Sequence, residues 1–212
     1  INPPGGGKKL RVKLGIDPTS PDLHLGHAVI LRKLREFQDL GHTAVLIIGD
    51  FTAQIGDPSD KLSKRPMLTS EKIQENLKGY KEQLGKILDL SRVEWRYNSE
   101  WLSALTFMEI AQLAESFSLQ QMLARRNFKT RVENKEDISL RELMYPLMQG
   151  YDSVAVRADV ELGGFDQLFN LMAGRKIQEF YKNAPQDVIA TQMLEGTDGR
   201  KMSTSWGNVV TI

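Results

Sequence analysis

Leu10-Arg11-Val12-Lys13-Leu14-Gly15-Ile16-Asp17-Pro18-Thr19, continued by Ser20-Pro21-Asp22-Leu23-His24-Leu25-Gly26-His27, decides the fold. Residues 10–16 alternate apolar and basic side chains and stop at the turn Gly15-Ile16-Asp17-Pro18-Thr19, which reads as a strand entering a loop. Residues 23–40 then carry apolar side chains at helical spacing, and residues 43–48 form a short β-branched and aliphatic run closed by Gly49-Asp50. Such a run suits a strand buried on both faces of a parallel sheet. Strand, helix and strand in succession predict an α/β fold.

The alternation continues along the chain. Thr69 or Ser70 caps a long charged helix reaching about residue 90, and residues 93–97 follow as a strand. Residues 107–126 read as two short helices. Ser139-Leu140-Arg141-Glu142 has capping-box spacing and opens a helix to about residue 151, with a potential kink at Pro146. Residues 159–162 resemble a strand, 165–181 a helix, 188–194 a strand and 195–205 a loop. The predicted architecture is a Rossmann-like, doubly wound parallel sheet with ligands at the carboxyl ends of its strands. Residues 1–9, with their Asn-Pro-Pro-Gly-Gly-Gly run, read as a flexible lead-in to one domain over residues 10–212.

Composition narrows the function. At 212 residues, 41% apolar and 26% charged, the chain can bury one sizeable core. A net charge of +1 gives no global field for nucleic acid, so any RNA contact must be local. The absence of cysteine excludes disulfides, thiolate metal sites and a cysteine nucleophile, and three histidines are too few for most zinc sites; no protein-held metal is predicted. No apolar run approaches the roughly 20 residues of a bilayer span, so a cytoplasmic protein without a membrane partner is expected.

Three segments carry chemistry. Asp17 to His27 leaves a strand and enters a helix, whose unpaired N–H groups and positive dipole end suit an anion. His24 and His27 lie three apart on one helical face, and Gly26 between them permits close approach of a nucleotide. A capped helix with surface histidines is the competing reading, and adenylyltransferases of small metabolites use a similar pattern. Lys201-Met202-Ser203-Thr204-Ser205 reads as a mobile basic loop whose lysine can close over a triphosphate and stabilise charge in the transition state; alone it is an ordinary polar loop. Tyr145, Gln149 and Asp152, at i, i+4 and i+7, fall within about 60° of one another on a helix. Their apolar neighbours Leu143, Met144, Leu147 and Met148 favour a buried site over a solvated face.

His24-Leu25-Gly26-His27 resembles the HIGH signature of class I aminoacyl-tRNA synthetases, and residues 201–205 resemble their KMSKS loop, in the family's order. The pairing is far more specific than either half. Residues 145–152 and Gly163-Gly164-Phe165-Asp166-Gln167 resemble the tyrosyl members rather than their tryptophanyl relatives. The resemblance implies ATP-dependent activation of L-tyrosine, with Mg²⁺ carried on ATP, then transfer to tRNA(Tyr), by a homodimer. It assigns His24, His27, Lys201, Lys61 and Arg65 to catalysis. Asp17, Thr19, Gly26, Gly164, Asp166, Met202, Ser203 and Thr204 are assigned to ATP. Gly15, Asp57, Tyr145, Gln149, Asp152 and Gln167 are assigned to tyrosine, with Tyr145, Gln149 and Asp57 at the ammonium and Asp152 at the phenol.

Three positions depart from the family pattern. Thr204 replaces the second lysine of the loop, and Arg200 is expected to share the load of Lys201. Phe165 stands where a small hydroxyl residue is common, and Lys13 where many tyrosyl enzymes place a tyrosine against the phenol. A non-catalytic RNA-binding or regulatory relative is the reading that Thr204 and Phe165 keep open. The resemblance spans residues 10–208, includes a helical connective segment at about 99–138, and implies no anticodon-binding domain within these residues.

Overall fold

The computed structural model describes residues 7–59 and 67–212; residues 1–6 of the predicted lead-in, and Lys61 and Arg65, lie outside the described residues. Its centre is a five-stranded parallel sheet of β1 (Arg11–Ile16), β2 (Thr43–Ile48), β3 (Val93–Tyr97), β4 (Val160–Gly164) and β5 (Asp187–Thr191). The strand order is β3-β2-β1-β4-β5. The chain winds outward from β1 to β3, then returns to the other side of β1 for β4 and β5. The reversal falls between β1 and β4, and open sheets of this kind bind ligands beyond the strand ends at that point.

Alternation along the strands sorts the core into two layers. Val12, Leu14 and Ile16 of β1 join Ala44, Leu46 and Ile48 of β2 against Ile30, Leu31, Leu34 and Phe37 of α1 (Leu25–Asp39). Val45 and Ile47 face the opposite layer with Val156 and Ala158. After β2 come α2 (Thr52–Ile55), α3 (Ser70–Leu77) and α4 (Tyr80–Gly85). The helices α5 (Ser99–Leu102), α6 (Phe107–Ala114), α7 (Leu119–Leu123) and α8 (Arg126–Glu133) follow β3. The second layer is completed by α9 (Leu140–Ala155) and α10 (Leu168–Phe180). These two helices pack so closely that a Cβ on Gly150 would lie 2.5 Å from Ile177 Cδ1 and 3.2 Å from the Ala173 carbonyl oxygen.

Several predicted boundaries move. The charged helix expected over residues 69–90 is two helices parted at Lys78-Gly79, because glycine weakens a helix interior and both pieces serve the β1–α1 loop. Asn76 donates to the Pro18 carbonyl at 2.8 Å and Tyr80 to that of Ser20 at 2.8 Å. Helix α8 falls in the expected helical connective segment but beyond the two short helices read over residues 107–126; it is held by a buried ion pair, Arg131 to Glu142 at 2.6 Å, rather than by an apolar stripe. Helix α9 continues through Pro146 to Ala155, and β5 ends at Thr191, three residues early. Among the described residues no helix is long and apolar enough to cross a membrane.

Candidate active site

A cleft of about 450 Å³ opens at the carboxyl ends of β1 and β4. Every predicted site residue within the described chain lines it: Gly15, Asp17, Thr19, His24, Gly26, His27, Asp57, Tyr145, Gln149, Asp152, Gly164, Asp166, Gln167, Lys201, Met202, Ser203 and Thr204. Only Lys61 and Arg65 are not placed, lying outside the described residues. The two signature segments, about 175 residues apart in sequence, thus meet across one opening. Among the described residues no group of three or more His, Asp or Glu side chains is arranged to hold a metal ion.

His24 is the N-cap of α1 rather than its second residue, so the helix begins at Leu25 and not at residue 23. His24 Nδ1 accepts the Gly26 N–H at 3.1 Å, and His27 Nδ1 accepts the His24 N–H at 3.1 Å, a reciprocal capping box made of two imidazoles. An Nδ1 that accepts carries no proton, so each neutral ring bears its hydrogen on Nε2 as a donor. Burial, then His24 and Lys201, push the His27 pKa down to about 3; burial and Lys201 lower that of His24. Both rings are therefore neutral donors at neutral pH. Gly26 makes room for the His24 ring, since a Cβ there would lie 2.8 Å from it.

Asp152 is 4% exposed and accepts from Trp101 Nε1 at 2.8 Å and Asn98 Nδ2 at 3.3 Å. Burial raises its pKa to about 7, against the opposing pull of Lys13 and these two donors. In the same cleft, Gly15 has nothing within 4 Å of where a Cβ would stand, so β1 leaves open space in the wall. The Tyr145 hydroxyl donates to Asp17 Oδ2 at 2.8 Å, and burial followed by the Asp17 charge raises its pKa well above the usual phenol range. Asp17 Oδ1 accepts from Thr52 Oγ1 at 2.7 Å, which fixes the carboxylate at the strand end.

Asp57 is held from both sides. Its Oδ2 accepts from Gln167 Nε2 at 2.6 Å, and its Oδ1 from the Ser59 N–H at 2.9 Å and hydroxyl at 2.6 Å. Ser59 Oγ in turn accepts from Arg125 Nη2 at 2.7 Å and Asn170 Nδ2 at 3.2 Å. At the outer rim Lys201 Nζ meets Asp166 Oδ2 at 2.6 Å. Arg200 does not join it: its guanidinium pairs with Asp198 and stacks on Trp206 at 3.9 Å, so the expected sharing of charge is not made in this conformation. Phe165 neither narrows the cleft nor enters the core; it is 63% exposed.

The residues missed in sequence are the ones that orient others: Thr52, Ser59, Asn98, Trp101 and Arg125. Asn98 and Thr52 follow the carboxyl ends of β3 and β2, which was the available signal. Gly49 was another, since a Cβ there would stand 1.9 Å from Asp17 Oδ1.

The family model "tRNA synthetases class I (W and Y)" matches residues 6–212. The tyrosine--tRNA ligase of Thermotoga maritima is 60% identical over 203 residues, 95% of this chain and 51% of the relative. That of Carboxydothermus hydrogenoformans is 54% identical over 207 residues, 97% of this chain and 50% of the relative. The chain thus spans about half the length of the curated relatives it matches. Among solved structures, the tyrosyl-tRNA synthetase of Archaeoglobus fulgidus complexed with L-tyrosine superposes with a TM-score of 0.77 at 27% identity, covering 95% of this chain and 60% of that one.

Proposed function

Because the chain belongs to the class I tRNA synthetases of the tryptophan and tyrosine group, we propose that it activates L-tyrosine with ATP and passes the tyrosyl group to tRNA(Tyr). The observation that carries the reading is one cleft lined together by His24, His27, Lys201 and the buried carboxylate of Asp152. The tyrosine phenol donates to Asp152, and its ammonium is held by Tyr145, Gln149 and Asp57. The substrate carboxylate then attacks the α-phosphorus of ATP, and pyrophosphate leaves. Mg²⁺ enters with the triphosphate as part of the substrate.

Positioning and charge stabilisation do the chemistry, since no covalent intermediate with the protein is needed. The Nε2–H groups of His24 and His27 donate to oxygens on which negative charge develops. Being neutral, they stabilise that charge without first binding the resting triphosphate as ions. Asp166 accepts from the ribose hydroxyls, beside Gly164, where a Cβ would lie 2.6 Å from Asp166 Oδ1. Lys201 exchanges Asp166 for phosphate when ATP enters, while Thr19, Met202, Ser203 and Thr204 border the nucleotide and Lys61 and Arg65 reach the pyrophosphate. The adenylate is then transferred to the terminal ribose of the tRNA.

Residues 10–212 act as the catalytic unit in the cytoplasm, with residues 99–138 as the connective segment, in a homodimer. Large exposed apolar side chains support the dimer: Phe107 is 88% exposed, Met108 66% and Leu119 56%. The test is tyrosine-dependent exchange of labelled pyrophosphate into ATP, with tryptophan and phenylalanine in parallel. Exchange with tyrosine alone is expected; exchange with tryptophan alone, or with none, overturns the reading.

A further inference from the structure

Lys13, which stands where many tyrosyl enzymes place a tyrosine, does not reach the cleft. It is fully buried beneath α9, on the face of β1 opposite Leu14, and is the register partner of Glu161 on β4. Lys13 Nζ lies 2.8 Å from Glu161 Oε1, 2.8 Å from the Gln149 carbonyl oxygen and 2.8 Å from Ser153 Oγ, so all three ammonium protons have acceptors. Glu161 is equally occupied. Its Oε1 also accepts from Gln149 Nε2 at 3.1 Å, and its Oε2 accepts from Ser153 Oγ at 3.2 Å and from Gln186. The backbone of α10 closes over the network, since a Cβ on Gly174 would fall 2.4 Å from Gln186 Nε2 and 3.0 Å from Glu161 Oε2.

A buried ion pair is weak evidence for stability, because desolvation offsets most of the attraction. This one touches a cleft residue at a decisive atom. A glutamine amide has one end that donates and one that accepts, whereas an ionised carboxylate only accepts. Glu161 therefore dictates that the nitrogen of Gln149 points inward, and the oxygen is left for the cleft. The reverse orientation sets two acceptors against each other inside and presents N–H donors to an incoming ammonium.

We propose that Lys13 and Glu161 are positioning residues for amino-acid recognition, fixing the Gln149 amide with its oxygen toward the substrate's ammonium. The proposal rests on the tyrosine-activating reading above. Glu161 performs the selection and Lys13 pairs with it at 2.8 Å in a dry interior.

The test compares two ligands, L-tyrosine and 3-(4-hydroxyphenyl)propanoate, which lacks only the amine, by calorimetry on the wild-type chain and on Lys13→Met/Glu161→Leu. Replacing both charges by apolar groups avoids stranding either one. The variant is expected to bind tyrosine about tenfold or more weakly, and the amine-free ligand by less than about threefold, with the thermal midpoint recorded alongside. Equal losses for both ligands, or none for either, overturn the proposal and leave the pair a structural one. A wild-type chain that binds tyrosine no better than the amine-free ligand instead overturns the tyrosine reading itself, and the proposal with it. Should that variant not fold, Lys13→Met/Glu161→Gln, whose amide can offer Gln149 either end, is judged by the same comparison.

Discussion

Asp152→Asn should stabilise the protein in alkali while damaging its recognition of tyrosine. Burial lifts the Asp152 pKa from 3.8 to about 7. A difference of about three units at 1.36 kcal/mol each is about 4 kcal/mol. The sign follows from proton uptake: between these two values the folded chain holds a proton that the unfolded chain has lost. The cost to folding is therefore complete above about pH 7 and gone below about pH 4. Asparagine keeps an oxygen for Trp101 Nε1 but turns a nitrogen toward Asn98 Nδ2, which forfeits about 1 kcal/mol. The net gain is about 3 kcal/mol near pH 8.5, shrinking to about zero near pH 4.5. Urea unfolding of variant and wild type at both pH values measures it, and every other titrating group cancels in the difference. A stability difference that does not change with pH would show instead that Asp152 is not ionised at a cost.

Gly15→Val should raise the tyrosine KM by about 10² or more, since its branched side chain fills space the phenol needs, yet leave the fold intact because nothing lies within 4 Å of the new Cβ; steady-state kinetics and a melting curve check both halves. The His27 ring, with its pKa near 3, should show no titration of its Cε1 proton by NMR between pH 5 and 8, and a midpoint near 6.5 contradicts its burial. Because this pKa lies below the unfolded value of 6.5, His27 removes stability as pH falls from about 6.5 toward 3. Lys201→Ala should slow pyrophosphate exchange by about 10² to 10³ while tyrosine affinity measured by calorimetry stays unchanged. Arg131→Met should cost about 3 to 5 kcal/mol in urea unfolding by leaving Glu142 buried and unpaired, a loss that Arg131→Met/Glu142→Leu largely restores.

The sheet was legible because parallel strands buried on both faces are written as dense apolar runs, and residues 43–48 are such a run. The cleft was legible because residues 24–27 and 201–205, each ambiguous alone, occur together in one alternating α/β chain. Helices held by polar contacts were not. Nothing in the periodicity of residues 126–133 announces that Arg131 turns inward to Glu142, and the break at Gly79 follows from contacts with a loop about 60 residues away. Lys13 is the sharpest case. An alternating strand with a basic residue reads as half solvated, and only Glu161, about 150 residues later, makes its burial possible. Side chains that orient the site, such as Asn98 and Trp101 around Asp152, were likewise invisible, because their roles depend on partners that only folding brings near.

In the proposed function one cleft holds a tyrosyl group with its phenol on Asp152 and an adenosine beneath His24 and His27. Calorimetric binding of non-hydrolysable sulfamoyl analogues of tyrosyl-adenylate and phenylalanyl-adenylate to the wild-type chain and to Asp152→Ala tests it most directly. The wild type is expected to prefer the tyrosyl analogue by at least about tenfold to a hundredfold, the worth of one charge-assisted hydrogen bond, and the preference to collapse in the variant. Equal binding of the two analogues by the wild type, or an undiminished preference in Asp152→Ala, would contradict it.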